Sequence, residues 1–184
     1  NSMGITAYAE KFSKPSRPIL VFGAYVYFVT ASAVDLLDQI ADVGVHLYTS
    51  ENGLPGKKLD STWWRVFELD TPSGNTMIGT AFEFNPKVID DEFFIVVDGI
   101  PEKNDSVDVS FAMARFRDHG NTAYMYKDKE WIDVSTYFPA GANHTSYMIM
   151  PSIIHSVMSP IPTDREPLVV TKEARTVQYP FFSI

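Results

Sequence analysis

The stretch Tyr48-Thr-Ser-Glu-Asn-Gly-Leu-Pro-Gly56 stops one alternating apolar run and starts the next with almost nothing but turn chemistry. Asn52-Gly53 supplies two residues that tolerate positive φ, Pro55 presets its own φ, and Gly56 frees the exit. The stretch therefore reads as the connection of a β-hairpin. On its N-terminal side Val43, Val45 and Leu47 alternate with Gly44, His46 and Tyr48. That spacing turns the aliphatic set toward a core and leaves His46 on the other face, as a surface or cross-strand residue.

On the C-terminal side three runs of strand length follow: Thr62 to Leu69, Met77 to Phe84 and Glu92 to Asp98. In the second, Ile78, Thr80, Phe82 and Phe84 share a face against Gly79, Ala81 and Glu83, a half-buried pattern. The third is apolar on both faces, with Phe93-Ile95-Val97 against Phe94-Val96, and so predicts a central strand covered on both sides. Further out, Ile19 to Val29 reads as a long central strand, while Ala7 to Phe12 alternates only weakly. Val107 to Phe116 turns Val107, Val109, Phe111 and Met113 inward, with Arg115 and Arg117 reaching solvent. Ala123 to Tyr126, the charged tip Lys127-Asp-Lys-Glu130 and Trp131 to Val134 form a second hairpin. Two more short runs, 145–150 and 152–158, precede Pro160, Pro162 and Pro167. Val34 to Ala41 is the one segment with helical spacing, and it reads as a single helical turn or an irregular strand.

Many short strands with turns between them and almost no helix predict an all-β chain, a two-sheet antiparallel β-sandwich that is jelly-roll-like. One domain is expected over 1–160, followed by a proline-containing C-terminal extension over 161–184 whose apolar pieces can dock as extra strands. The 184 residues, 45% of them hydrophobic and 14% aromatic, suffice for one sizeable core. Fifteen Lys and Arg against 23 Asp and Glu give a net charge of -8, which argues against nucleic acid as a partner. No apolar run has the length of a membrane span, so no membrane insertion is expected. There is no cysteine, which excludes thiol nucleophiles, disulfides and Cys-ligated metal.

Quoted together, Gly23-Ala-Tyr-Val-Tyr-Phe28, Val43-Gly-Val-His-Leu-Tyr48 running into Asn52-Gly-Leu-Pro-Gly56, Ala81-Phe-Glu-Phe-Asn-Pro86 and Glu92-Phe-Phe-Ile-Val-Val97 resemble a β-sandwich module of secreted and cell-surface Bacteroidetes proteins. In those modules an N-G-x-P-G turn joins a strand pair, and an F-x-F-x-P strand and an apolar F-[FY]-[IV]-x-[IV] strand follow. Tyr124, Tyr126 and Trp131 match the later aromatics. The resemblance covers about Ile19 to Met150 and departs at Asp35 to Asp42 and after Met158. It implies an exported, non-catalytic domain, extracellular or at the cell surface.

Catalytic patterns are missing from the sequence: no H-E-x-x-H, no G-x-S-x-G, no phosphate loop and no dinucleotide fingerprint. His46, His119, His144 and His155 have no metal-ligand spacing, and the acidic clusters Asp90-Asp91-Glu92 and Asn104-Asp105 with Asp108 read as solvated turns. The chain is therefore expected to be no enzyme and to carry neither metal nor cofactor. Its affirmative signal is aromatic. Trp63 and Trp64 are consecutive in a strand, so their indoles leave on opposite faces and one of them is expected at the surface. Tyr124, Tyr126, Trp131 and Tyr137 form a second concentration near a hairpin tip. Flat aromatics beside polar groups are what sugar rings stack on. The expected function is thus a non-catalytic adhesion or carbohydrate-binding module with a glycan or cell-surface protein as partner, or else a structural accessory domain of a secreted protease or other hydrolase. Circular dichroism is expected to show dominant β-structure with helix below about a tenth of residues, well under the usual third; substantial helix would sink the all-β reading.

Overall fold

The structure is a computed structural model that describes residues 4–114, 120–137 and 145–155. The sequence readings at Arg115, Arg117, His119 and His144, and the extension over 161–184, lie outside the described residues. Strands β4 (Asp42–Glu51) and β5 (Leu54–Arg65) are joined by Asn52-Gly53, whose φ values of 55° and 78° close the two-residue turn expected of that pair. Strand β7 (Phe93–Asp98) pairs with β4, β1 (Ile5–Phe12) pairs with β7, and the hairpin of β10 (Ala123–Lys127) and β11 (Glu130–Asp133) completes a six-stranded antiparallel sheet. Its order is β11-β10-β1-β7-β4-β5.

Within that sheet β7 is apolar on both faces for a physical reason. Phe93, Ile95 and Val97 enter the main core, while Phe94 and Val96 join Ala7 and Ala9 in a smaller apolar cluster on the outer face. Each such side chain contributes about 1.5–3 kcal/mol relative to exposure. Strand β1 also lies inside the sheet, although its sequence alternates weakly: Glu10 stands where an apolar residue would be read, and it is only 2% exposed.

The other strands form three smaller antiparallel ladders. Strand β2 (Ile19–Val26) lies between β13 (Ile149–His155) and β6 (Thr80–Ile89), β3 (Phe28–Ala33) pairs with β8 (Val107–Phe111), and β9 (Met113–Ala114) pairs with β12 (Ser146–Tyr147). Three runs each break by one residue, at Tyr27, Ala112 and Met148, and exchange partners there. Tyr27 N–H donates to Met148 C=O at 3.2 Å, Met148 N–H to Ala112 C=O at 2.8 Å, and Ala112 N–H to Tyr27 C=O at 2.8 Å. This closed ring of backbone bonds joins the β2–β13, β3–β8 and β9–β12 ladders while leaving none of those groups orphaned. Val43, Val45, Leu47, Ile95, Val97 and Met125 of the large sheet pack in one cluster with Val21, Val26, Phe28, Phe82, Val107 and Val109 of the ladders. The fold is all-β, with several antiparallel sheets.

Two readings are corrected and a third, the helical turn, is resolved. The run after Trp64 ends as a strand at Arg65 and turns into a 3-10 segment, Val66–Glu68, because Val66 and Leu69, spaced by three, are the residues that bury. Strand β6 begins at Thr80, and Met77 and Ile78 before it are exposed. Residues 34–41 contain a single helical turn, α1 (Leu36–Gln39), but Val34, Leu37 and Ile40 are all exposed, so the helical spacing there marks no core face.

Glu10 joins the large sheet to its neighbours. Its Oε1 accepts from Thr122 Oγ1 at 2.5 Å and Ser146 Oγ at 2.9 Å, and its Oε2 from Tyr147 N–H at 2.8 Å. Burial pushes the Tyr147 hydroxyl well above the ordinary tyrosine value, with Tyr8 and Glu10 adding in the same sense. A raised folded-state value contributes stability that is present below the ordinary tyrosine value of about 10 and lost as pH rises beyond it. Unfolding midpoints are therefore expected to fall above pH ~10, and Tyr147→Phe, with no hydroxyl to ionise, should flatten that decline; an unchanged slope in the variant would assign the loss elsewhere.

Candidate functional site

The ladders pack on one face of the six-stranded sheet, so the sequence itself has to furnish the cover of the outer face. Register fixes which side chains stand in line there. Trp63, Gly44, Asp98, Ala7, Tyr126 and Trp131 form one row across β5, β4, β7, β1, β10 and β11. Ser61, His46, Val96, Ala9, Tyr124 and Asp133 form the next. Large aromatics thus stand toward the two sides, and glycine and alanine occupy the middle.

The result is an open trough of about 850 Å³. Ala7 and Val96 floor it, Tyr126 and Trp131 stand on one side with their ring centroids 5.0 Å apart, and Tyr48 stands toward the other. Asp98 and Glu102 bring carboxylates to the end where β7 leaves the sheet. A volume of this size suits a small-molecule or oligomeric ligand, and aromatic and polar surface meet in its lining in comparable measure.

Beside the trough, His46 is corrected from a surface residue to a buried one, at 1% exposure, though it does lie across from a neighbouring strand as a polar partner. Its Nδ1 is 2.8 Å from Ser61 Oγ on β5, and Asp98 Oδ1 is 2.9 Å from its Nε2. The carboxylate lies off the ring N–H direction, so this is a close polar contact, and among the described residues Nε2 has no aligned hydrogen-bond partner. Gly44 makes the contact possible. A Cβ there would run into Asp98 Oδ1 and stand 2.7 Å from His46 Nε2.

Ser61, His46 and Asp98 are the residue types of a nucleophile, its base and an orienting acid, but their setting differs. Trp63 lies edge-on over the imidazole at 5.5 Å, and the Ser61 N–H already donates to Asp60 Oδ1. The three side chains thus brace one another, with Ser61 Oγ on the ring, Trp63 over it and Asp98 beside it.

Each aromatic singled out from the sequence can now be placed. Trp63 lies on the outer face and is 55% exposed, whereas Trp64 leaves on the inner side at the sheet edge, where its indole N–H donates to Ala81 C=O of β6 at 2.9 Å. Together they line a second depression of about 380 Å³ with Thr62, Glu68, Ala81 and Glu83. Tyr124 stacks edge-on against Phe94 at 5.6 Å and is part of the outer apolar cluster rather than the trough lining; burial raises its hydroxyl above the ordinary value. Tyr137 ends the short helix α2 (Val134–Tyr137), and its side chain lies outside what the structure describes. The two tryptophan sites stand at opposite edges of the sheet, five strand spacings or roughly 24 Å apart. They are two sites. Tyr48, Asp98 and Glu102 were missed in the sequence, since nothing local marks residues that only strand pairing brings together.

The acidic clusters are largely engaged. Asp91 and Glu92 pair with Lys14 and Lys11 at 3.6 and 3.1 Å, Asn104 Oδ1 accepts from the Ser106 and Val107 N–H groups, and Asp108 meets Lys103 at 2.6 Å. Among the described residues no three His, Asp or Glu side chains converge as metal ligands.

No family model, curated protein or solved structure matches the chain. The site's own chemistry therefore carries the functional argument. The two adjacent tryptophans give it a first check: Trp64→Ala removes a hydrogen bond between sheets and should cost about 2 kcal/mol or more, while Trp63→Ala should cost about 1. Urea denaturation of both variants measures this, and equal costs would contradict the separation of their roles.

Proposed function

We propose that this chain is a non-catalytic binding module that takes a glycan in the trough on the outer face of its six-stranded sheet. The observation that carries the reading is the trough itself, with the Tyr126–Trp131 pair raised beside a floor of Ala7 and Val96, and with carboxylates at one end. Sugar rings present flat apolar faces and a rim of hydroxyls. Aromatic walls accept the first and carboxylates the second. In this reading the fold is a jelly-roll-like sandwich, the large sheet forming one layer and the joined ladders the other, and the module works outside the cell or on its surface, in keeping with the Bacteroidetes-type resemblance of its sequence.

A second reading has its own support. Phe22, Tyr25, Val88, Met150 and Ile154 are all exposed on the three-stranded sheet. Exposed apolar area of this kind suits a surface that a larger protein covers. That favours a structural accessory domain of a secreted hydrolase with no ligand of its own.

A glycan array followed by titration of the best ligand separates the two. Trp131→Ala is expected to weaken binding about tenfold or more, as loss of a central aromatic anchor does, in a domain that still unfolds cooperatively, its melting temperature lowered only by the packing Trp131 gives the outer cluster. An array with no ligand, or a Trp131→Ala protein that binds as the parent does, would leave the accessory-domain reading standing alone.

A further inference from the structure

Both aromatic depressions share a polar composition that a neutral sugar does not require. The trough brings Asp98 and Glu102 beside Tyr126 and Trp131, and the edge depression brings Glu68 and Glu83 beside Trp63 and Trp64. No lysine or arginine lines either one among the described residues. Their charged side chains are all carboxylates, acceptors when ionised, and the neutral hydroxyls and indole N–H groups beside them bring no positive charge. A ligand that fits such a surface must itself be donor-rich, and an ammonium group has three donors and no acceptor.

Charge is also distributed along the trough. At the end where Tyr48 and Phe94 pair, Lys58 Nζ stands 5.6 Å over the Tyr48 ring, and Lys11, opposite Phe94 on β1, pairs with Glu92. At the other end stand Asp98 and Glu102, with the Trp131 and Tyr126 rings beside them. A cation placed there meets carboxylates and aromatic faces together, and both attract it. Behind Asp98 the buried His46 ring lies 2.9 Å from one carboxylate oxygen, and Ser61 Oγ is 2.8 Å from the ring's other nitrogen.

We propose that the glycan bound in this trough carries free amino groups, so that the module recognises amino sugars in their protonated, non-acetylated form. The inference rests on the glycan reading above and names its ligand class. The floor itself favours a ring ligand over a peptide strand. The central strands β1 and β7 already spend their backbone groups on two neighbours each, so no main-chain ladder is on offer to a peptide there, and recognition falls to side-chain stacking and charge.

The experiment is calorimetric titration of the whole chain with a β-1,4-linked glucosamine tetramer, its fully N-acetylated counterpart and a uronic-acid tetramer of the same length. The expected result is that the free-amine tetramer binds at least tenfold tighter than the acetylated one and that the uronic-acid tetramer does not bind. Raising the salt to about 0.5 M should shrink that preference, because exposed charges are screened over a few ångströms at such ionic strength. Glu102→Gln, on the chain leaving β7, should remove most of the preference, weakening the free-amine tetramer several-fold more than the acetylated one. Asp98→Asn serves as the second variant, its folding checked by thermal melting because His46 leans on it. Equal or tighter binding of the acetylated tetramer overturns the amino-sugar assignment and leaves the glycan reading intact. Binding of a lysine-rich peptide with no tetramer bound overturns both, as does the absence of all binding.

Discussion

Strand backbones must pair their N–H and C=O groups along their whole length, and in this chain three long runs cannot do so with one neighbour each. The ring of hydrogen bonds among Tyr27, Ala112 and Met148 resolves that conflict. Each run changes partner at its single unpaired residue, and the three ladders that meet there diverge without stranding a polar group in the interior. Much else follows from this junction. It brings Phe28, Val107 and Val109 against the inner face of the large sheet, and it sets Ser146 and Tyr147 where their donors reach Glu10 on β1. A buried carboxylate would be costly alone, yet with three donors it becomes the tie between the large sheet and the β9–β12 ladder.

Because the ladders occupy one face, the other face of the six-stranded sheet is left to cover itself. It does so unevenly. Phe94 and Val96 are roofed in part by Tyr48, Tyr124, Tyr126 and Trp131, whereas Ala7, Ala9 and Gly44 are too small to project. A depression walled by aromatic rings is the geometric consequence. Gly44 has a second effect, since the space where its side chain would stand is taken by the contact of His46 with Asp98. The same small residue that lowers the floor thus also lets a carboxylate be anchored at the trough's end, which links strand composition directly to binding chemistry.

What the sequence determined by itself was local. Asn52-Gly53 dictated a turn, the two-faced apolar run Phe93 to Val97 dictated a strand covered on both sides, and the adjacent Trp63 and Trp64 had to part to opposite faces, because these outcomes depend on backbone sterics and on a period of two. Residues that break the simple periods misled: Glu10 disguised an interior strand as a weak one, and Val66 and Leu69 ended a strand early by burying at a spacing of three. Only tertiary structure decided that Tyr48, Asp98, Tyr126 and Trp131 share one trough while Trp63 stands roughly 24 Å from Trp131, that His46 is enclosed between Ser61 and Asp98, and that three ladders meet at one junction. The physical reason is that a site of this kind is assembled across strands distant in sequence, and the register that aligns them comes from the burial of whole faces rather than from any residue's own preference.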